Sequence, residues 1–234
     1  MTARGTGPDV MILAAGYGIR MGALTADRPK PLIAVAGRTL LDHAIAAARD
    51  GGGRIAVNAH YRSDQIAAHL AARHPDVHLS DEQPRILDSG GGVKHALPHL
   101  RTHPIATLNA DAVWAGPGPL ATLTAAWDGA RMGALMLLVP RARAIGRQGG
   151  GDVAIDAQGR LTWDRTDTGL IHTGAQLLDP ALIAAHPGTV FSMLDIWQDQ
   201  IDRGRLFGAI YPGSWADVGH PEGIVQAEAM LADA

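Results

Sequence analysis

Residues 10–32 read VMILAAGYGIRMGALTADRPKPL. An apolar run, Val10 to Ala14, empties into a small-residue turn, Ala15-Gly16-Tyr17-Gly18. Two cations follow, Arg20 and then Lys30, which is held between Pro29 and Pro31. A turn that lets backbone N–H groups approach a phosphate, followed by positive charges that reach it, has the make-up of a nucleoside triphosphate site. The spacing is not a dinucleotide fingerprint, because G-x-G-x-x-G is absent and no acid ends the second strand near Val57. It is not a Walker loop either, since no Gly-Lys-Ser/Thr follows. Other chemistries find no material. There are no cysteines, and the eleven histidines form neither His-x-x-x-His nor His-Glu-x-x-His, so no histidine is assigned to a metal.

These groups need a scaffold that brings them together. Val10–Ala14, Arg54–Ala59, Val77–Leu79, Ile105–Asn109 and the unbroken apolar run Gly133–Val139 read as strands. Between them lie helical patterns at Leu40–Arg49, at Ser63–Arg73 with Ser63 as its expected N-cap, from Gly90 to about His99, and at Leu120–Trp127. The alternation predicts an α/β fold. It is a doubly wound, mostly parallel, Rossmann-like sheet with helices on both faces and a small C-terminal substrate-covering lobe. Ligands in such sheets bind beyond the carboxyl ends of the strands, so Gly16, Asn58, Asp111 and Pro140 are expected on one rim.

After residue 140 the pattern changes. Arg141–Gly151 is a Gly/Arg-rich loop, and a hairpin is expected around Ala157-Gln158-Gly159. A strand is expected at Leu170–Leu178, a helix at Met193–Arg203, a strand at Leu206–Tyr211, and a last helix from Pro221 with proline in its first turn. One domain is expected over residues 1–234, with a nucleotide-binding core at about 10–140 and a sugar-binding lobe plus terminal helix at about 141–234.

Hydrophobic residues make up 47% and charged residues 18% of the 234, enough apolar material for a sizeable core and too little charge for disorder. The net charge of −3 comes without blocks of like charge, which argues against nucleic acid or an anionic membrane as partner. No apolar run approaches the ~20 residues of a membrane span, and residues 1–9 lack a signal peptide's apolar core. The expectation is a cytoplasmic protein, monomeric or a small homo-oligomer.

The combined pattern Leu13–Met21, Leu24-Thr25 and Pro29–Leu32 resembles the signature of sugar-1-phosphate nucleotidyltransferases. The likeness continues in order along the chain, through Val57–His60, Asp88-Ser89-Gly90-Gly91-Gly92, Asn109-Ala110-Asp111, Thr173-Gly174 and Trp215–Gly219 with Pro221-Glu222. Within that family, the triple glycine after an acid and the short length most resemble N-acetylmuramate-1-phosphate uridylyltransferases of cell-wall recycling. Two positions depart from the family pattern. Gly22-Ala23 stands where many members have a proline before Leu-Thr, and Ala110 replaces the usual glycine beside the acid.

The resemblance implies a reaction in which a sugar 1-phosphate oxygen attacks the α-phosphorus of a nucleoside triphosphate and pyrophosphate leaves. The attacking phosphate is already ionised at neutral pH, so no general base is required. The task is to bring two anions together and stabilise the charge that builds up. The implied roles are Arg20 on the outer phosphates, Lys30 on the α-phosphate and incoming phosphate, and Asp111 with Asp217 holding Mg²⁺. Leu13, Ala14, Ala15, Gly16 and Gly18 line the nucleotide, with Glu82, Asp88, Gly90 and Asn109 toward base and ribose. Gly151, Asp152, Asp164, Thr173 and Gly174 are the implied sugar contacts.

Other readings stay open on sequence alone. One is a mannose or glucose 1-phosphate guanylyl- or thymidylyltransferase, and another a phosphocholine cytidylyltransferase. A third, of another class, is a non-catalytic nucleotide-sugar-sensing protein on the same fold.

Overall fold

The structure is a computed structural model and describes residues 7–233. Seven strands form the central sheet, in the spatial order 206–210, 134–139, 171–178, 105–109, 10–13, 55–59, 78–81. Six of them run parallel, and Ile171–Leu178 alone is antiparallel to both its neighbours. The expected doubly wound sheet is therefore present, and most expected elements fall within one or two residues of their place.

Alternation along the first strand explains the two covered faces. Val10 and Ile12 point to one layer, with Leu41 and Ile45 of helix Leu40–Arg49, Ile66 and Leu70 of helix Ser63–Arg73, and Leu120 and Leu123 of helix Pro119–Ala126. Met11 points to the other, with Val93 of helix Asp88–Ala96, Ile183 of helix Pro180–Ala185, and Met193 and Ile196 of helix Met193–Asp202. Burying each such side chain is worth about 1.5–3 kcal/mol, and a one-residue slip would turn the whole set to the wrong face. That fixes where the chain leaves the sheet after Leu13.

The second half departs from the expected lobe in an instructive way. Strands Ile171–Leu178 and Leu206–Ile210 join the central sheet, so residues 141–234 complete the core as well as extend it. What extends beyond the sheet is the hairpin of Val153–Ile155 with Leu161–Trp163, and a second sheet of three strands. That second sheet, Ala112–Ala115, Ser214–Asp217 and Ala144–Ile145, is not readable from the sequence pattern. Its strands are two to four residues long and paired across about seventy and about a hundred positions. The terminal helix Pro221–Ala232 packs on it through Ala227 and Met230, against Val113, Ala216 and Val218.

Two local expectations are corrected. Ser63 is the first residue of its helix and not the cap. The cap position is Arg62, with φ 50° and no side-chain cap bond. The helix after Leu87 starts at Asp88, ahead of the triple glycine. Leu40–Arg49 begins with a full capping box, Thr39 accepting from Asp42 N–H and Asp42 accepting in return from Thr39 N–H. Among the described residues, no helix is long and apolar enough to cross a membrane.

Candidate active site

Three adjoining cavities line the carboxyl rim of the sheet. The first, about 330 Å³, lies over the turn after Leu13 and is walled by Gly16, Gly18, Arg20, Lys30, Asp111 and Gly219. The second, about 200 Å³, shares Leu13 and Gly16 with it and reaches Asn58, Glu82, Asp88 and Ser89. The third, about 170 Å³, starts at Asn109, next to the Ala110-Asp111 wall of the first, and runs toward Asp152 and His172.

The first cavity gathers the charges. Lys30 is nearly buried, and its Nζ donates to Asp111 Oδ2 at 2.7 Å. Asp217 ends its strand in register with Ala112, and Val218 N–H donates to the Asp111 carbonyl, so the two acids come together from distant parts of the chain. Burial pushes the Asp217 carboxyl above the usual carboxylate range, and the charge of Asp111 adds to that rise. Lys30, Arg20 and Arg147 oppose it. A buried carboxylate beside a partly exposed one that repels it, at the edge of a cavity walled by Arg20 and Lys30, is a donor set suited to a hard divalent cation. The residues present therefore fit Mg²⁺.

The backbone explains why the loop carries glycines. Gly18 has φ 65°, and a Cβ there would lie 2.9 Å from Lys30 Cβ, so glycine lets the two segments touch. Gly16 has open space where its Cβ would be, on the side a ligand would use. Thr25 closes the loop by donating to the carbonyls of Gly18 and Gly22. Gly22 has φ 57° and ψ −127°, a backbone that proline cannot adopt. Ala110, the other departure from the family pattern, is 3% exposed and packs into the core while also forming part of the first cavity's wall.

Several residues expected at the ligand also make supporting bonds within the protein. Glu82 is buried, with one carboxylate oxygen accepting from Asn58 Nδ2 at 2.6 Å and the other from Leu87 N–H at 2.8 Å. Asn58 Oδ1 in turn accepts from Ala14 N–H at 2.6 Å, so Glu82 steadies the phosphate turn through Asn58. Gly90 does not offer its face to a base. The space of its Cβ is filled by Phe191, 2.4 Å away, and its N–H donates to the Phe191 carbonyl. Asp88, at φ 63°, caps Ser89 with its own carboxylate.

Of the expected sugar contacts, only Asp152 lines the third cavity. Thr173 is buried and donates to the Leu137 carbonyl, while its own carbonyl accepts from Trp215 Nε1. Gly174, at φ 81°, sits in the irregular stretch between His172 and Gln176 and presses on the side chain of Asn109. Gly151 packs on Gly169, and Asp164 is tied to Thr166 within its own turn. The sequence reading missed Arg147, Arg165, His172 and Trp197 in this wall. Arg147 was visible only as part of a Gly/Arg-rich loop.

A parallel α/β sheet with a glycine turn, a lysine and two converging acids at one rim is the architecture of a nucleotidyltransferase. The MobA-like NTP transferase domain family matches residues 10–191, and the chain belongs to that family. It is 37% identical to the N-acetylmuramate alpha-1-phosphate uridylyltransferase of Caulobacter vibrioides, covering 96% of this chain and 97% of that protein. The protein of the same name from Neisseria meningitidis serogroup B is 27% identical, with 94% and 96% covered. Among solved structures, HddC from Yersinia pseudotuberculosis complexed with GMP-PN superposes with a TM-score of 0.78 at 22% identity, covering 96% of this chain and 99% of that one. That likeness is one of fold.

Proposed function

We propose that this enzyme joins UTP to N-acetylmuramate 1-phosphate, giving the nucleotide sugar and pyrophosphate. The observation that carries this reading is the end-to-end relationship to the Caulobacter vibrioides uridylyltransferase, which leaves no part of either chain unmatched beyond a few per cent. The geometry supports it, because Arg20, Lys30 and Asp111 line one cavity beside the small-residue turn, and Asp217 lies near enough to feel the charge of all three.

In this reading the triphosphate lies along Ala15 to Gly18, with the base toward Asn58 and Ser89. Arg20, exposed at the mouth, holds the outer phosphates that leave as pyrophosphate. Lys30 donates to the α-phosphate oxygens as charge builds on them, which is where a preorganised cation lowers the barrier most. Asp111 and Asp217 would hold Mg²⁺, which would supply charge neutralisation for the reacting phosphates. The sugar 1-phosphate enters on the Asn109 side, with its ring in the third cavity. Attack and departure are in line, and no side chain needs to take a proton.

The test is pyrophosphate release from a panel of triphosphates and sugar 1-phosphates, with and without EDTA. UTP with N-acetylmuramate 1-phosphate is expected to exceed every other pair, and EDTA to abolish the signal. Faster turnover of GTP with mannose 1-phosphate overturns the substrate assignment. Silence across the panel with tight nucleotide-sugar binding favours a sensor.

A further inference from the structure

The third cavity carries an excess of positive charge that general sugar binding does not call for. Asp152 Oδ1 accepts from two guanidinium groups, Arg147 Nη2 at 2.9 Å and Arg165 Nη1 at 3.2 Å. Its other oxygen accepts from His172 N–H at 3.0 Å. One carboxylate thus serves two cations, with both guanidinium groups on the same oxygen. Arg147 Nε is buried and has no acceptor among the described residues. An orphaned charged donor is costly to keep in a folded protein, and it is ordinarily answered by a ligand or an ordered solvent molecule. Arg165 sits over the Trp163 ring, with Cζ 4.7 Å from its centre, a cation–π contact that helps to hold the guanidinium in place.

Nothing else in the wall cancels the charge. Burial pushes the His172 imidazole down to about 4, so it is neutral at pH 7. Apart from the uncharged Asn109, the remaining wall is apolar or aromatic, with Met136, Leu194, Trp163 and Trp197. The cavity opens toward Asn109, which places it on the sugar side of Lys30 and Asp111.

We propose that Arg147 and Arg165 read a carboxylate carried by the sugar, and that this cavity selects an acidic sugar 1-phosphate over its neutral counterpart. The proposal rests on the uridylyltransferase reading above, in which the muramate sugar bears a lactyl carboxylate on an ether arm. Guanidinium forks match carboxylates in geometry and charge. A site built around such a partner rejects the analogue that lacks it, because the donors are then left unpaired. Asp152, expected as a sugar contact, becomes the positioning residue that tethers both arginines at one oxygen.

The experiment compares kcat/KM for N-acetylmuramate 1-phosphate and N-acetylglucosamine 1-phosphate, each with saturating UTP and Mg²⁺. The two sugars share a ring and differ in the lactyl arm. The parent enzyme is expected to prefer the muramate substrate by about 10²-fold or more. In R147Q and in R165Q that ratio is expected to fall at least about tenfold, chiefly through a higher KM for the muramate substrate, as for the loss of one charge-assisted contact. R147K is expected to retain part of the preference. Arg165 is 59% exposed, so R165Q tests the idea even if R147Q fails to fold. An unchanged ratio in both variants, or equal losses on both sugars, overturns the proposal. A parent enzyme that uses both sugars equally overturns it too, while leaving nucleotidyl transfer intact. Turnover of neither sugar with UTP overturns the uridylyltransferase reading itself, and the carboxylate-reading pair with it.

Discussion

Lys30 Nζ and Asp111 Oδ2 lie 2.7 Å apart, with side chains 11% and 28% exposed. The cation expected on the α-phosphate and the acid expected on the metal hold each other. The pair keeps a nearly buried cation and a partly exposed acid compensated at the wall of one cavity, and in the proposed reaction ligand binding would exchange partners without gathering the groups from solvent.

Lys30 is accordingly the first residue to change. Lys30→Met keeps the aliphatic stem that fills the space against Gly18 and removes the charge. Turnover is expected to fall about 10²-fold or more, the scale of losing one preorganised transition-state donor. Steady-state pyrophosphate release measures it, and activity within threefold of the parent enzyme contradicts the assigned role.

Asp111→Asn tests the other half of the pair. The substitution keeps size and a hydrogen-bonding group while removing the negative charge. The Mg²⁺ concentration for half-maximal rate is expected to rise at least about tenfold, as for a lost charged ligand of a hard cation. Circular dichroism is expected to show the fold retained. A superimposable Mg²⁺ titration argues that Asp111 does not touch the ion.

The sheet and the phosphate turn were legible in the sequence because both rest on local, strong patterns. Val10–Ile12 alternates or runs apolar over a whole strand, and Gly16, Gly18 and Lys30 fall within one short segment. Asp217 was reachable only through resemblance, since its strand is four residues long and its partner Ala112 lies over a hundred residues away. The part that stayed hidden is who supports whom. Glu82 looks like a base reader in a polar loop, yet folding turns it inward to Asn58 and Leu87. Gly90 looks like a platform, yet Phe191 arrives from a distant loop to cover it. Arg147 and Arg165 acquire meaning only when the hairpin folds Asp152 between them.

Gly92 tests the support of the phosphate turn. A Cβ there would fall 2.5 Å from Glu82 Oε1 and 2.7 Å from Asn58 Nδ2, which are themselves bonded and have no room to retreat. Gly92→Ala is expected to cost about 1–3 kcal/mol by overpacking, lowering Tm by about 2–4 °C per kcal/mol for a chain of this size. Because Asn58 holds Ala14 N–H, the KM for the triphosphate is expected to rise as well. Unchanged Tm and KM together remove Glu82 and Asn58 as props of the loop.

Asp42 sets the acid limit of the fold. It is 4% exposed, and one oxygen accepts from His69 Nε2 and His74 Nε2, each at 2.8 Å. Burial pushes its carboxyl up, but the hydrogen bonds from His74, His69 and Thr39 outweigh this and hold it well below its ordinary 3.8. A depressed folded value means that the folded state keeps the carboxylate charged where the unfolded chain has begun to protonate. The stabilisation is therefore full above 3.8 and is lost as pH falls below it. Asp42→Asn removes the charge that joins the end of helix Ser63–Arg73 to the start of helix Leu40–Arg49. It is expected to destabilise the neutral-pH protein by about 3 kcal/mol, as for breaking a buried charged network. Urea melts at a series of pH values measure both effects. The parent protein is expected to lose stability more steeply than Asp42→Asn between about pH 4 and pH 2, so that the two curves converge at the acid end. Parallel curves, offset by a constant amount down to pH 2, would place the acid limit elsewhere in the molecule.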